Sequence, residues 1–188
     1  MRAEKYIITT ERLGLRKWKD EDCIPFAEMN KDETVMEFFP AKLTDEETIA
    51  FINRINLYFE KKDFGLYAID KLATKKFIGY TGFMIPSFES FFTPCIEIGW
   101  RLKKEEWNKG YATEAAKACL QYSFDILNFN KIYSFTSTIN FRSEKVMQKI
   151  GMIKEGEFDH PKIALNNKLC RHVLYAIEKS TQKNFLKE

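Results

Sequence analysis

Two short stretches hold residue types at spacings suited to chemistry. The first is Trp107-Asn108-Lys109-Gly110-Tyr111-Ala112-Thr113-Glu114-Ala115. A strand-like run, Cys95-Ile96-Glu97-Ile98-Gly99-Trp100-Arg101-Leu102, precedes it, and a helix-like run ending near Leu127 follows. A strand, a short glycine-containing loop and a helix N-terminus together make an anion site. The first N–H groups of a helix have no intrahelical acceptor, and the helix dipole favours negative charge there. Gly110 lets the backbone approach a ligand closely, and Lys109 adds positive charge. The expected ligand is a phosphate-bearing cofactor. GxxxxGK[ST] is absent, so the loop is not a Walker P-loop, and the missing Walker lysine–threonine pair argues against a nucleoside-triphosphate site. GxGxxG is also absent, so it is not a dinucleotide fingerprint.

The second stretch runs from Asn140 through Arg142, Ser143, Lys145, Met147 and Lys149 to Gly151 and Met152. Asn140 is placed to cap a helix; its amide is equally able to bond a ligand amide, and the two roles are compatible.

Periodicity supplies the elements that must hold these residues. Ile7 to Trp18 reads as a strand, with Leu13 and Leu15 alternating against Arg12, Gly14 and Arg16. Asp20 to Asn30 reads as a short helix. Thr44-Asp45-Glu46-Glu47 is a capping box opening a helix that ends near Lys62, with Ile49, Ile52, Ile55 and Phe59 on its apolar face. Phe64–Asp70 and Lys76–Ile85 form a hairpin around a Lys71–Lys75 turn. In the loop from Pro86 to Pro94, Phe88, Phe91 and Phe92 are expected to fold back onto the core; the competing reading is a substrate mouth or subunit contact. The helix from Tyr111 buries Ala112, Ala115, Ala116, Cys119, Leu120, Ser123 and Leu127. Lys131–Thr138 is a strand, Asn140–Ile150 a helix closed by Gly151, and Met152–Phe158 and Leu169–Glu178 are the last strands. The order describes an α/β chain of one domain, residues 1–188, with a mixed central sheet and helices on both faces.

Composition narrows the partners. Thirty basic and 27 acidic residues give a net charge of +3, well mixed, which is too weak for nucleic acid. Cys23, Cys95, Cys119 and Cys170 include no CxxC, and with only His160 and His172 beside them no metal site is expected. The charged start, Met1-Arg2-Ala3-Glu4-Lys5, opens no signal-type apolar core, and no run approaches a membrane span. The expectation is a cytoplasmic protein with free buried thiols, without membrane or nucleic-acid partners, and either monomeric or homodimeric.

In this order and at this separation, the two stretches resemble the GNAT N-acetyltransferase superfamily. Its phosphate-loop pattern is Q/R-x-x-G-x-G/A; Gly110 and Ala112 match, and Trp107 stands at the Q/R place. The variant W-G-K-G-Y-A-T-E-A is usual in the RimJ/RimL-type branch. Asn108 replaces its glycine, and Asn tolerates left-handed backbone. The N-x-x-S…K-x-G-[FM] pattern matches from Asn140 to Met152. Thr10-Glu11-Arg12-Leu13-Gly14-Leu15-Arg16 resembles the branch's T-E-R-L-x-L-R start, and Arg171-His172-Val173-Leu174-Tyr175 its end.

The resemblance implies acetyl transfer from acetyl-CoA to an amine acceptor, a protein N-terminus or a small amine, by direct attack in a ternary complex. It implies two splayed parallel strands, Cys95–Leu102 and Lys131–Thr138, with Gly99 marking a bulge where the splay starts. The pantetheine arm would bond the backbone of Ile98, Gly99 and Trp100 and the amide of Asn140. The pyrophosphate would rest on the N–H groups of Asn108, Lys109, Gly110, Tyr111, Ala112 and Thr113. Attack by a neutral amine needs a base, for which Glu97 is the candidate, and a donor to the tetrahedral oxyanion, for which the backbone N–H groups from Ile98 to Trp100 serve. Many relatives protonate the departing thiolate with a Tyr at the place held here by Met147; Ser143 is the substitute. The alternative is a non-catalytic acyl-CoA-binding module or sensor, which Met147 keeps open.

Overall fold

The computed structural model describes residues 6–182, so Met1–Lys5 lie outside the described residues. The chain divides into two compact parts, residues 6–83 with 99–119, and residues 84–98 with 120–182.

In the first part the expected opening strand is two. β1 (Ile8–Thr9) and β2 (Leu13–Arg16) pair antiparallel, because the chain turns back at 10–12, where the Thr10 amide donates to Leu13 O at 2.9 Å. A 3-10 turn at Asp20–Asp22 leads into α1 (Cys23–Lys31). The capping box forms as read: Thr44 accepts from the Glu47 amide, the Glu47 carboxylate accepts from the Thr44 amide, and α2 runs Asp45–Lys62. Its buried face is Thr48, Ile52, Ile55 and Phe59, and Ile49 is 48% exposed instead. The spacing 48, 52, 55, 59 tracks one helical stripe, from which position 49 is rotated by about 100°. β3 (Leu66–Lys71) and β4 (Lys76–Met84) form the expected hairpin, with a bulge between Ile69 and Asp70. The strand order is β1-β2-β3-β4, continuing to β5 (Glu97–Leu102). Leu13, Leu15, Phe26, Ile55 and Ile69 are completely buried, and Trp18 packs on Phe26 with ring centroids 4.8 Å apart.

A charged knot lies in this core. Arg16 donates to both carboxylate oxygens of Asp22 at 2.6 and 2.8 Å and to both of Asp70 at 2.7 and 2.8 Å, and all three residues are buried. Burial pulls the Arg16 pKa down, and the two carboxylates outweigh it to leave a net rise.

In the second part β5 pairs parallel with β6 (Lys131–Ser137). β8 (Arg171–Glu178) lies antiparallel to β6 and to β7 (Ile153–Asp159), giving the order β5-β6-β8-β7. α4 (Phe141–Lys149) follows β6 and ends before Gly151, whose φ of +84° is the left-handed C-terminal geometry a glycine allows. Of the three loop phenylalanines, Phe92 is buried with Phe158 and Leu174, and Phe88 packs partly against them, as expected; Phe91 stays 75% exposed.

α3 (Tyr111–Asp125) starts in the first part and ends in the second. It buries Ala115, Ala116, Cys119, Leu120 and Ser123 as expected, whereas Ala112 and Leu127 are half-buried and Phe124 is fully buried. No helix among the described residues is long and apolar enough to cross a membrane. The described cysteines are free thiols, of which Cys119 and Cys170 are buried and Cys23 and Cys95 half-buried.

Candidate active site

The phosphate-type loop belongs to the first part. A 3-10 turn at Lys104–Glu106 follows β5, and the Trp107 indole N–H donates to Leu102 O at 2.9 Å, tying the loop to the strand end. Asn108 adopts φ +60°, the left-handed conformation foreseen for it, and Gly110 adopts φ +82°. These two reversals turn the chain so that α3 begins at Tyr111, with the Glu114 amide donating to Gly110 O at 3.0 Å. Among the described residues, no acceptor takes the amides of Asn108 to Thr113. That row of free donors is a cradle for an anion.

A clamp that sequence reasoning missed holds the cradle. Glu114, in the first turn of α3, accepts from the Thr10 hydroxyl and the Arg12 Nε at 2.6 Å each and from the Arg12 amide at 3.1 Å. Arg12 Nη1 donates onward to Lys109 O at 3.1 Å, and its guanidinium lies 4.5 Å from the Tyr111 ring centroid. Burial alone would raise the Glu114 carboxyl; the bonds from Thr10 and Arg12 outweigh it and hold it below the usual carboxylate range. The T-E-R run was visible in the sequence, but its partner lies 102 residues away. Lys109 is more committed than its sequence position suggests: its ammonium pairs with Glu106 at 3.0 Å, and Glu106 also holds Lys71 at 2.6 Å.

β5 carries the next candidates. Gly99 O accepts from the Thr81 hydroxyl at 3.0 Å within the first part. The expected irregularity at Gly99 does not take the form of a positive φ. In the second part, β5 and β6 share one register pair, Glu97↔Tyr133, beside which the Tyr133 amide donates to Ile96 O at 2.9 Å. One residue further, Ile98 O accepts from the buried Ser134 hydroxyl at 2.9 Å instead of from a backbone amide. A parallel ladder that ends after one pair is the start of the expected splay.

Glu97 is half-buried and has no cationic partner among the described residues, so it is neither a solvated strand carboxylate nor half of an ion pair. Burial pushes its carboxyl up to about 8. The neighbouring Cys95 thiol is pushed up to about 11 by burial and by Glu97, and burial raises Cys119 further. Thiolate character is therefore suppressed at both cysteines.

Asn140 caps α4: its side-chain oxygen accepts from the Ser143 amide at 3.2 Å, and its Nδ2 donates to Thr136 Oγ1 at 2.9 Å. Capping uses the oxygen and one N–H, leaving the second N–H of the amide for a ligand. Ser143 is half-buried in the first turn, and Met147 is completely buried, so the sulfur side chain packs. A hydroxyl reaches α4 from elsewhere: Tyr175, on β8, donates to Glu144 at 2.9 Å and accepts from Gln148 at 3.2 Å. Arg142, Lys145 and Lys149 are exposed. His160 packs against Phe88 and His172, and burial, the His172 ring and Lys162 push its pKa down to about 4.

With this geometry in place the comparisons are informative. The family model for an acetyltransferase (GNAT) domain matches residues 12–153, which takes in β2, the loop, β5, β6 and α4. The chain belongs to the GNAT acetyltransferase family. It is thereby an acetyl-CoA-dependent acyltransferase. It is 35% identical over 152 residues to the uncharacterized N-acetyltransferase YnaD of Bacillus subtilis, covering 80% of this chain and 85% of the relative. A solved GNAT-family acetyltransferase from Bacillus anthracis superposes with a TM-score of 0.77 at 31% identity, covering 92% of this chain and 98% of that one. The spermidine N-acetyltransferase of Vibrio cholerae, solved with CoA and spermine, shares the fold with a TM-score of 0.74 at 20% identity, over 93% of this chain and all of that one. The GNAT α/β fold expected from the sequence is therefore the fold observed.

Proposed function

We propose that this chain is a RimJ/RimL-type N-acetyltransferase that moves the acetyl group of acetyl-CoA to a primary amine by direct attack in a ternary complex. The observation that carries the reading is Glu97, a carboxyl raised by burial, without a cation, at the point where the parallel ladder stops. When bound, acetyl-CoA supplies a thioester carbonyl for the amine to attack. The amides of Asn108, Lys109, Gly110, Tyr111, Ala112 and Thr113 hold its diphosphate. The backbone of Ile98, Gly99 and Trp100 and the spare N–H of Asn140 hold its pantetheine arm.

Glu97 takes the proton from the amine nitrogen as the new C–N bond forms. Backbone N–H groups of Ile98–Trp100 receive the charge that develops on the carbonyl oxygen. The C–S bond then breaks and Ser143 donates a proton to the departing thiolate; Ser143 regains a proton from water and Glu97 releases its own to water, which restores both groups. The RimJ/RimL placement rests on the Thr10–Arg16 start and the Trp107–Ala115 loop, which the Glu114 clamp joins in space.

Thermal unfolding with acetyl-CoA, beside ATP and NAD, is the direct test. Acetyl-CoA at about 100 times its dissociation constant adds roughly 2.7 kcal/mol, whereas ATP and NAD leave the transition in place. A shift with ATP alone overturns the reading. Glu114→Gln is expected to weaken acetyl-CoA about tenfold, the loss of roughly one charge-assisted hydrogen bond from the clamp; an unchanged acetyl-CoA titration would show that the clamp does not position the loop. Ser143→Ala is expected to lower kcat about tenfold or more. Unaltered turnover would assign thiolate protonation to water.

A further inference from the structure

The first part of the molecule carries a cleft that acetyl transfer does not use. It opens to solvent, has a volume of about 440 Å³, and takes all its lining residues from that part. Small-molecule sites span roughly 300–1,000 Å³, so the cleft can hold more than a single ion.

Three lysines line it. Lys71 ends β3 and Lys76 begins β4, and the two stand directly opposite each other in the strand register. Lys103 follows β5, and its amide donates to Ile78 O at 2.9 Å, which fixes it beside the start of β4. Like charges directly opposite on paired strands destabilise the pair. Lys71 has a counter-ion, Glu106, at 2.6 Å. Among the described residues, Lys76 and Lys103 have neither an ion pair nor a side-chain hydrogen bond.

The two carboxylates of the cleft do not cancel this charge. Glu106 is buried and divided between Lys71 and, at 3.0 Å, Lys109 of the loop. Glu105 is exposed and makes no ion pair among the described residues. Positive charge is therefore in excess. Pro25 of α1 and Phe77 of β4 add an apolar wall. Ammonium groups act as point charges with rotating donors. Several of them suit a tetrahedral dianion, whereas a planar carboxylate is matched better by a guanidinium fork.

We propose that this cleft binds a small phosphomonoester, with the phosphate on Lys71, Lys76 and Lys103 and the organic group against Phe77 and Pro25. It is a second anion site, since none of the residues from Asn108 to Thr113 lines it.

The test is calorimetric titration of the full chain with phenyl phosphate, inorganic phosphate and benzoate, first alone and then with acetyl-CoA saturating. Phenyl phosphate is expected to bind about tenfold more tightly than benzoate and severalfold more tightly than inorganic phosphate. With acetyl-CoA present it should still bind, at most severalfold more weakly, because Glu106 is shared with Lys109 of the loop. Combining Lys76→Gln with Lys103→Gln should weaken phenyl phosphate by about tenfold or more. Neither side chain has a partner to lose, so this variant should melt where the unmodified protein does. Glu105→Gln should tighten binding about two- to fivefold by removing a like charge. Lys61→Gln, in the last turn of α2, should change nothing.

No binding of phenyl phosphate at millimolar concentration overturns the proposal. So does equal binding in the double variant, or an equal loss in Lys61→Gln, which would mark a general charge effect. Binding abolished by acetyl-CoA assigns the anion to the loop and removes the second site. Equal affinity for benzoate overturns the phosphate chemistry, and equal affinity for inorganic phosphate overturns the role of Phe77 and Pro25.

Discussion

Glu97→Gln is expected to lower acetyl transfer by about 10²- to 10⁴-fold, the range that loss of a positioned general base produces. The loss should fall on kcat/KM at saturating acetyl-CoA and leave the acetyl-CoA-induced thermal shift intact, because Gln keeps the shape and removes only the basic oxygen. The pH profile carries the sharper signature. With its carboxyl raised to about 8, Glu97 is mostly protonated at neutral pH. The wild-type rate therefore climbs with pH until the carboxyl ionises near 8, and the variant lacks that limb. A profile of equal shape in both proteins assigns the limb to the acceptor's own amine and removes Glu97 as the base.

Stability moves in the opposite direction. The unfolded chain ionises Glu97 near pH 4.5, and the folded chain near 8. Between those values the folded state holds the extra proton, so stability falls as pH rises. The full difference reaches as much as about 5 kcal/mol above pH 8. Glu97→Gln abolishes this slope and is expected to be more stable than wild type at pH 9 and similar at pH 4, measured by urea unfolding at both. Gaining stability while losing activity is what the proposed role entails for an unpaired carboxyl whose ionisation burial opposes.

Arg16→Met is expected to destabilise the fold by about 3–5 kcal/mol or more, since it leaves two buried carboxylates facing each other without their shared cation. For a chain of this size that lowers Tm by about 6–20 °C. Arg16→Lys should recover little, because one ammonium cannot span four carboxylate oxygens. Adding Asp22→Asn and Asp70→Asn to Arg16→Met should restore much of the loss, because the cost lies in the stranded charges. If the triple variant melts as low as the single one, the arginine's packing, not its charge, holds this core. The consequence extends to the site, since β2 continues from the Thr10–Arg12 turn that grips Glu114.

Much of this molecule was legible in its sequence, for local reasons. Thr44 and Glu47 form their capping box because the two bonds span three residues. Asn108 and Gly110 take left-handed backbone because those residue types tolerate it. Asn140 caps α4 through an amide three residues from its donor. The phosphate-type loop was readable for the same reason: strand, turn and helix start are one continuous segment.

What the sequence could not determine is which charges meet. Glu114 reads as an ordinary first-turn acid until Thr10 and Arg12 arrive from 102 or more residues away. Lys109 reads as a free phosphate ligand until Glu106 claims it. Arg16 and Arg101 look alike as strand arginines, yet one has two carboxylates and the other none. Glu97 alternates like any strand residue, and only tertiary packing removes water from its carboxyl. Helix and strand signals are carried by neighbours in the chain, whereas desolvation and ion pairing depend on everything within a few ångströms, and the folded chain alone decides what that is.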